Sequence, residues 1–292
     1  MYDGLKNKKI NLHVTEQCNY NCKYCFSHNC GSGQLLNIDK WKTIVDNCID
    51  VLSPIGFNIA GGEPLLYKDL SELIKYIKSK GLYCSIITNG SLLTKEWIDE
   101  NVKYLDCVGI SIDSFNKDTL IRLGCDYKGD TLTCYKFKEI CDYIKQVNPR
   151  CKIKVNTVVC SLNKTENLFE VLKNIPYELK WKILNMKLFV DKFFSNEPLQ
   201  VDASEYKSFV KNNLNLDLVD FEYSVKITKE NVQTVVEPNM IGGYLIVMPH
   251  GYLVDNNKND VCHSIASCID KKELKQKTKN LMFNEKLYNS RY

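Results

Sequence analysis

The chain has 292 residues, of which 44% are hydrophobic and 25% charged, as is typical of a folded protein with one large or two small domains. Lysine and arginine exceed aspartate and glutamate by 39 to 35, an excess too small to indicate general binding to nucleic acid or to membranes. No apolar run is long enough to span a bilayer, and the lysine-rich residues 1–9 do not resemble a signal peptide. We therefore predict a cytoplasmic protein with no nucleic-acid or membrane partner.

Fourteen cysteines are the unusual feature of the composition. A secreted disulfide scaffold would be shorter and would carry a signal peptide. We therefore expect most of these thiols to be reduced and buried as small apolar side chains, with a few acting as ligands.

Short β-branched segments alternate with helical patterns over the first 190 residues. The predicted strands are Lys9–Thr15, Gly56–Ala60, Leu82–Thr88, Cys107–Ile112, Cys151–Cys160 and Leu179–Leu188. The predicted helices are Ile38–Leu52, Leu70–Ser79, Thr94–Val102, Thr131–Gln146 and Lys164–Lys173. Such alternation predicts an α/β fold with a parallel sheet, and six units predict a partial (βα)6 TIM-like barrel.

The pattern changes in the last third of the chain. The predicted elements there are a helix at Asp202–Asn213, a strand at Phe221–Ile227, a strand pair at Tyr244–Met248 and Tyr252–Asp255, and a lysine-rich helix from Asp270. We find no internal repeat and no low-complexity linker. The sequence therefore predicts a barrel core over residues 1–190 and a C-terminal extension over residues 191–292 that completes the functional site.

A cysteine motif follows the first predicted strand, where parallel sheets carry functional residues. Cys18, Cys22 and Cys25 form a C-x3-C-x2-C pattern, and three thiolates so close together can hold zinc or an iron–sulfur cluster. Structural zinc prefers four ligands, which Cys30 or His28 would have to complete, and a chance cluster in a cysteine-rich chain is a further alternative. Three ligands on a four-iron cluster would leave one iron open.

Together with GGEP at 61–64, after the second predicted strand, this motif resembles the radical S-adenosylmethionine (SAM) superfamily. Further segments resemble the viperin family in order and spacing over about residues 9–290. They are NLHVTEQC at 11–18, TNGSL at 88–92, YLD at 104–106, ISIDSF at 110–115, KVNT at 154–157, KWK at 180–182, YLI at 244–246 and FNEKL at 283–287.

The resemblance implies a radical SAM lyase with a [4Fe-4S] cluster on Cys18, Cys22 and Cys25, with S-adenosylmethionine, and with an electron donor such as flavodoxin or ferredoxin. It implies a substrate, a ribonucleoside triphosphate, that loses its ribose 4′-hydrogen to a 5′-deoxyadenosyl radical. After reduction the 3′-hydroxyl leaves as water. The implied product is the 3′-deoxy-3′,4′-didehydro nucleotide, an antiviral chain terminator.

Particular residues take roles from this resemblance. The implied cofactor contacts are Gly61, Gly62, Glu63, Asn89, Ser111 and Arg122. The implied substrate contacts are Asn11, Asn58, Lys154, Asn156, Lys180 and Lys182. Tyr244 is the implied catalytic residue near the ribose. The chain departs from the family at Gly56, Ala60 and Lys180, where viperin has lysine, serine and arginine.

Other interpretations remain open at this point. Because Lys180 and Lys182 share one face of a strand, we expect them to face the barrel lumen and Trp181 to face the helices, but lysines at a solvated rim would give the same pattern. We expect His13 to be an interior histidine. A peptide-modifying radical enzyme, with an auxiliary cluster begun by Cys262 and Cys268, and a non-catalytic iron–sulfur or zinc protein are the alternative functions.

Overall fold

The computed structural model describes residues 7–25, 35–188, 195–219, 223–239, 242–254, 264–281 and 283–291. Its strands are β1 (Lys9–His13), β2 (Gly56–Ala60), β3 (Tyr83–Thr88), β4 (Cys107–Ser111), β5 (Lys152–Val159), β6 (Leu179–Asn185), β7 (Val225–Lys229), β8 (Val232–Glu237), β9 (Leu245–Val247), β10 (Tyr252–Val254) and β11 (Ser264–Ser267). Its α-helices are α1 (Ile38–Leu52), α2 (Leu70–Ser79), α3 (Lys95–Asn101), α4 (Lys117–Leu123), α5 (Cys134–Val147), α6 (Phe169–Leu172), α7 (Ala203–Leu214), α8 (Lys271–Lys277) and α9 (Glu285–Arg291). None of the described helices is both long and apolar enough to cross a membrane.

The first six strands pair in parallel, each with the next along the chain. The predicted α/β class and partial (βα)6 barrel are therefore confirmed. The extension adds a parallel strand to each edge, because β8 pairs with β6 and β9 pairs with β1. Strand β7 lies outside β8, and β10 and β11 lie outside β9, all in antiparallel pairs.

Local sequence signals explain most element boundaries. Helix α1 begins after Asn37, whose side-chain oxygen accepts a hydrogen bond from the Lys40 amide at 3.0 Å, and one face of the helix is buried against the sheet. Thr94 and Asp202 cap α3 and α7 in the same way.

One predicted helix is mostly wrong. Of Lys164–Lys173, only the four residues of α6 are helical. The side chain of Asn163 accepts a hydrogen bond from the Cys160 amide and donates to the Asp113 carbonyl, each at 2.8 Å, which holds the preceding segment as a turn. Short polar side chains that bond nearby backbone in this way compete with helix formation.

The two faces of β6 differ as predicted. Trp181 is fully buried under the helical layer, and its indole nitrogen donates to the Thr157 hydroxyl at 2.9 Å. Lys180 and Lys182 occupy the opposite face, which lines the barrel lumen. The core therefore lies between sheet and helices, and the lumen carries polar side chains.

The cysteine loop is fixed from two sides. The Asn21 amide donates to the Gly124 carbonyl at 3.0 Å, and the Lys23 amide donates to the Leu123 carbonyl at 2.9 Å. On the other side, the Glu63 amide donates to the Gln17 carbonyl at 2.7 Å. The loop after β1 is therefore held between the turn after β2 and the end of α4.

We predict that Gly124→Ala destabilises this loop. Gly124 has φ +75°, and an added Cβ would lie 2.1 Å from the Asn21 carbonyl oxygen, so the cysteine loop would have to move. Gly81→Ala is the matched control, because Gly81 has φ +73° just past the end of α2 but an added Cβ would meet nothing within 4 Å.

In thermal unfolding, we expect Gly81→Ala to lower Tm by about 2–4 °C, the result of about 1 kcal/mol of backbone strain. We expect Gly124→Ala to lower Tm by more than this, and to lower the iron bound per chain, which Gly81→Ala leaves unchanged. Equal effects of the two substitutions would contradict the tight contact.

Candidate active site

The three motif cysteines lie in the loop between β1 and α1. Cys18 is exposed, and Cys22 and Cys25 are half-buried. Burial raises the pKa of the Cys18 thiol to about 11, and the nearby Cys22, Glu63 and Cys25 add to that rise. A bound metal centre would offset this rise, because it stabilises thiolates.

This donor set fits an iron–sulfur cluster. Within the described ranges, no three His, Cys, Asp or Glu side chains are arranged to hold a single metal ion. In a four-iron cluster each cysteine binds a different iron, so the sulfur atoms need not meet at one point. His28 and Cys30, the possible fourth zinc ligands, lie outside the described residues.

The turn after β2 is tied to the end of β3 by a buried carboxylate. Glu63 accepts hydrogen bonds from the Thr88 hydroxyl at 2.7 Å, the Asn89 amide at 2.8 Å and the Leu65 amide at 3.1 Å. Burial nevertheless raises its pKa to about 6. Glu63 therefore positions the turn through hydrogen bonds to protein groups.

Gly61 and Gly62 bring this turn against the cysteine loop. An added Cβ would lie 2.5 Å from the Thr15 carbonyl oxygen at Gly61, and 2.2 Å from the Gln17 carbonyl oxygen at Gly62. The backbone amide of Gly62 donates to the Thr15 carbonyl at 2.7 Å. Only glycine allows this close approach of the two segments.

Two further predicted cofactor residues lie beside the cysteines. Asn89 donates to the Asn19 side chain at 2.9 Å, and its side-chain nitrogen lies 4.0 Å from the Cys18 sulfur. Asn89 and Ser111 line a small cavity of about 30 Å³ together with Cys22. Arg122 is exposed on the last turn of α4 and does not line that cavity.

A fourth cysteine, treated as packing in the sequence, adjoins the motif. The sulfur of Cys125 lies 3.3 Å from that of Cys22 and 3.6 Å from the Tyr24 hydroxyl. The Tyr24 hydroxyl donates to Asp113, whose pKa burial raises to about 6. No pattern in the sequence marks this contact, because Cys125 follows α4, a helix that we did not predict.

A cavity of about 650 Å³ occupies the barrel lumen. It is lined by Tyr244 and by all the predicted substrate contacts, namely Asn11, Asn58, Lys154, Asn156, Lys180 and Lys182. Six of the seven come from four different strands, namely β1, β2, β5 and β6, and Tyr244 lies directly before β9. The structure thus brings the predicted substrate residues together in one cavity.

A chain of polar side chains crosses four strands of the lumen wall. Ser85 donates to Asn58 at 2.8 Å, Asn58 donates to Asn11 at 2.8 Å, and Asn11 donates to the Leu245 carbonyl at 3.1 Å. Each amide orientation is set by the next group, so this row presents fixed donors and acceptors.

The lumen is strongly cationic. Its charged lining residues are Lys9, Lys145, Lys152, Lys154, Lys180, Lys182, Lys187, Glu178 and Glu230. Burial, and then Lys182, lowers the pKa of Lys154 to about 7, and the same causes lower that of Lys180 to about 8. A bound polyanion would reverse these shifts, because it would stabilise the ammonium forms.

Lys182 has an internal counter-ion that the sequence analysis missed. Its ammonium donates to Glu237 at 2.7 Å, and Glu237 also accepts from the Tyr244 hydroxyl at 2.6 Å. Burial would raise the Glu237 pKa, but Lys182 and Arg291 outweigh it and hold the pKa below its ordinary value. Lys182 is therefore compensated within the protein and does not need an external anion.

Neither Glu237 nor Arg291 was predicted as a site residue. Glu237 ends β8, a strand we did not predict although its Val-Gln-Thr-Val-Val run alternates in part. Arg291 ends the last helix, and nothing in its neighbourhood in the sequence marks it.

The chain departs from the viperin family at Gly56 and Ala60, and the structural surroundings of these two residues differ. An added Cβ at Gly56 would lie 2.3 Å from the Tyr83 carbonyl oxygen, so this strand pair has no room for a side chain there. Lys9, which pairs with Gly56 across β1 and β2, lines the cavity instead. Ala60 also lines the cavity.

Two remaining expectations concern single residues. His13 lines the cavity, and burial lowers its pKa to about 4, so the imidazole is neutral. Cys268 is fully buried beside Cys48, as expected for a packing thiol. Cys262, its possible partner in an auxiliary cluster, lies outside the described residues.

Comparisons with known proteins show the family of this chain. The sequence profile of the Radical SAM superfamily matches residues 12–159. An S-adenosylmethionine-dependent nucleotide dehydratase from Selenomonas ruminantium is 33% identical over 97% of this chain and 98% of its own length. Another from Fibrobacter sp. (strain UWH6) is 32% identical over 99% of this chain and 89% of its own length.

The fold is shared more widely. The solved structure of anSMEcpe with bound AdoMet and a Kp18Cys peptide has a TM-score of 0.67, with 19% identity over 97% of this chain and 84% of that chain. The profile match and the full-length relatives show that the chain belongs to the radical SAM superfamily and, within it, to the viperin-like S-adenosylmethionine-dependent nucleotide dehydratases. The cofactors of these enzymes are a [4Fe-4S] cluster and S-adenosylmethionine.

Proposed function

We propose that this enzyme dehydrates a ribonucleoside triphosphate to its 3′-deoxy-3′,4′-didehydro analogue, an antiviral chain terminator. The single observation that supports it best is the lysine-lined lumen, which holds every predicted substrate contact. Its volume of about 650 Å³ falls within the range of ordinary ligand sites. Full-length relatives named nucleotide dehydratases support the same choice.

In this proposal the cofactor end of the site is built by the cysteine loop and the glycine turn. Cys18, Cys22 and Cys25 would hold the cluster, and Gly61, Gly62, Asn89 and Ser111 would contact S-adenosylmethionine. When bound, these cofactors supply a 5′-deoxyadenosyl radical that removes the ribose 4′-hydrogen. Arg122 would reach the cofactor carboxylate only by a change of side-chain position, since it is exposed on α4.

The substrate end would bind the sugar and the phosphates. The row from Ser85 through Asn58 to Asn11 offers fixed hydrogen bonds to ribose hydroxyls. Lys154, Lys180 and Lys182, with Asn156, would bind the triphosphate through charge-assisted hydrogen bonds. Lys9 would supply the cation that viperin has at position 56, because it faces the same lumen from the neighbouring strand.

The extension would complete this site over residues 191–292, because Tyr244 reaches the lumen from it. The reaction also needs an electron, for which we propose a low-potential carrier such as flavodoxin or ferredoxin. Iron–sulfur ligation needs reduced thiolates, so we propose the cytoplasm as the compartment.

The decisive experiment is a nucleotide panel with the cluster-loaded, reduced enzyme and S-adenosylmethionine. We expect 5′-deoxyadenosine to form strongly with one or more of the four ribonucleoside triphosphates, because substrate binding excludes water from a reactive site. The Cys22→Ala variant should form none. No stimulation by any triphosphate would contradict the proposal and favour a peptide substrate.

We predict that Lys154→Met weakens triphosphate binding by about tenfold or more, since a charge-assisted hydrogen bond contributes about 1.5–3 kcal/mol. Calorimetry without reductant measures the Kd directly. Lys138→Met is the control, because Lys138 is a partly exposed α5 lysine paired with Asp142. An unchanged Kd for triphosphate, or an equal loss for the unphosphorylated nucleoside, would show that Lys154 does not contact the phosphates.

Triphosphate binding should also depend on pH through Lys154. With a pKa of about 7 in the free site, Lys154 is mostly neutral at pH 8. Bound phosphates raise that pKa, so binding at pH 8 takes up a proton and affinity falls as pH rises above about 7. Calorimetry in two buffers that differ in ionisation enthalpy measures this proton uptake. The terminal phosphate contributes little to it at pH 8, because that phosphate is already ionised. Lys180, with a pKa of about 8, takes up part of a proton in the same way, so we expect the uptake to fall but not to vanish in Lys154→Met. Uptake in Lys154→Met equal to that of the unsubstituted enzyme would assign the Lys154 proton elsewhere.

A further inference from the structure

The parallel part of the barrel ends at β9, beyond β1, and at β8, beyond β6. In the described sheet β8 and β9 do not pair with each other, and we call the gap between them the seam. Glu237 is the last residue of β8, and Tyr244 directly precedes β9. The hydrogen bond from the Tyr244 hydroxyl to Glu237, at 2.6 Å, therefore joins the two sides of the seam.

The last helix, α9, touches both sides as well. The Tyr288 hydroxyl accepts a hydrogen bond from the Lys9 amide of β1 at 2.7 Å. The Ser290 hydroxyl accepts one from the Ser224 amide, next to β7, at 3.4 Å. From the end of this helix Arg291 reaches Glu237, with 2.6 Å between Nε and Oε1.

Arg291 is enclosed by the residues that it contacts. It is 0% exposed, and its Nη2 donates to the Asn239 carbonyl at 2.7 Å. Its guanidinium carbon lies 4.3 Å from the centre of the Tyr244 ring. Gly243 leaves room for it, because a Cβ there would lie 2.1 Å from Nη1. The arginine therefore contacts both the carboxylate and the ring.

Two cations on one buried carboxylate have a physical consequence. Lys182 also faces the lumen, where a triphosphate would compete with Glu237 for its ammonium group. A buried carboxylate that loses its only cation becomes protonated or strongly destabilising. With Arg291 in place, Glu237 keeps a full counter-ion while the Lys182 ammonium, which has three N–H donors, is shared with the phosphates.

We propose that Arg291 and Glu237 are positioning residues for the dehydration: Arg291 keeps Glu237 ionised, and Glu237 holds Tyr244 and Lys182 as a proton-donating pair. The inference rests on the proposed function. It assigns α9 a role in the reaction itself.

The step balances with these groups. The substrate radical at C4′ takes one electron from the electron carrier, a C3′–C4′ double bond forms, and the C3′–O bond breaks. Tyr244 gives its proton to the departing hydroxide, which leaves as water. Lys182, whose Nζ lies 3.2 Å from the Tyr244 oxygen, returns a proton to the phenolate and is reprotonated from solvent.

The groups that interact with Glu237 come from five elements. They are Lys154 on β5, Lys182 on β6, Tyr206 on α7, Tyr244 before β9 and Arg291 on α9. Lys182 and Arg291 form ion pairs with Glu237, and Lys154 is a further basic group that acts on it. Removing Arg291 should therefore raise the pH at which Glu237 takes up a proton, by about one to three units for the loss of an adjacent opposite charge.

The first test measures that titration without turnover. The holoenzyme, with its cluster oxidised and no nucleotide, is labelled with 13C at glutamate carboxyl carbons, and Glu237→Gln assigns the Glu237 signal. We expect Arg291→Gln to move the midpoint up by about one to three pH units, and Arg291→Lys to restore most of the shift. An unchanged midpoint in Arg291→Gln, or no recovery with lysine, overturns the inference.

The second test separates positioning from structure. In Arg291→Gln we expect kcat for nucleotide product to fall about tenfold or more on the acid side, with the acid limb of its pH profile moved up by the same amount as the titration. The nucleotide KM should change less than about twofold, and 5′-deoxyadenosine formed per product should rise. When Glu237 is already replaced by Gln, the additional substitution Arg291→Gln should not move the acid limb of the pH profile.

The outcomes distinguish the two proposals. A rise in KM that matches the loss of kcat, with unchanged product ratio, assigns Arg291 a structural role and overturns the inference. Failure of Arg291→Lys to fold also assigns Arg291 a structural role and overturns the inference, because that variant keeps the positive charge. If Arg291→Gln moves the Glu237 midpoint as expected but the wild-type enzyme forms no nucleotide product, the proposed function alone is overturned.

Discussion

Burial of several lysine side chains in the lumen of a barrel is the constraint on which this structure depends. Desolvation and mutual repulsion lower the pKa values of Lys154 and Lys180, so the empty lumen is electrostatically unfavourable for their charged forms. Glu237 forms an ion pair with one of the lumen lysines, Lys182, and with Arg291. Stability and binding are therefore linked: the same uncompensated charge that costs free energy in folding becomes favourable when a polyanion enters.

The C-terminal extension meets a second constraint, namely the two strand edges that a six-stranded partial barrel leaves unpaired. A partial barrel exposes two strand edges, and β8 and β9 cover one edge each. The same extension supplies Glu237, Tyr244 and Arg291, and of these three residues at the seam Tyr244 also lines the lumen. The segment that covers the open edges of the barrel therefore also contributes to the site.

The sequence predicted the parts that follow from local periodicity and from motifs with fixed spacing. The bounds of α1, α2 and β2 were predicted correctly because caps and apolar spacing mark them locally. The lumen face of Lys180 and Lys182 followed from strand alternation alone. Glu237 and Arg291 could not be predicted, because their roles depend on contacts between segments that are 54 residues apart. The Cys22–Cys125 contact was missed for the same reason.

The shared fold also shows what decides the substrate. The structure of anSMEcpe with a bound peptide has a closely similar fold, so strand order by itself does not distinguish the substrates of these enzymes. The lumen surface is set at alternate positions of a few strands, where one face packs under helices and the other lines the lumen. In this chain the alternate positions of β5 and β6 carry lysines around a cavity with few acidic side chains. A peptide backbone is neutral and would leave those charges uncompensated, whereas phosphate groups would pair with them. Lumen charge, more than barrel topology, therefore favours a nucleotide over a peptide.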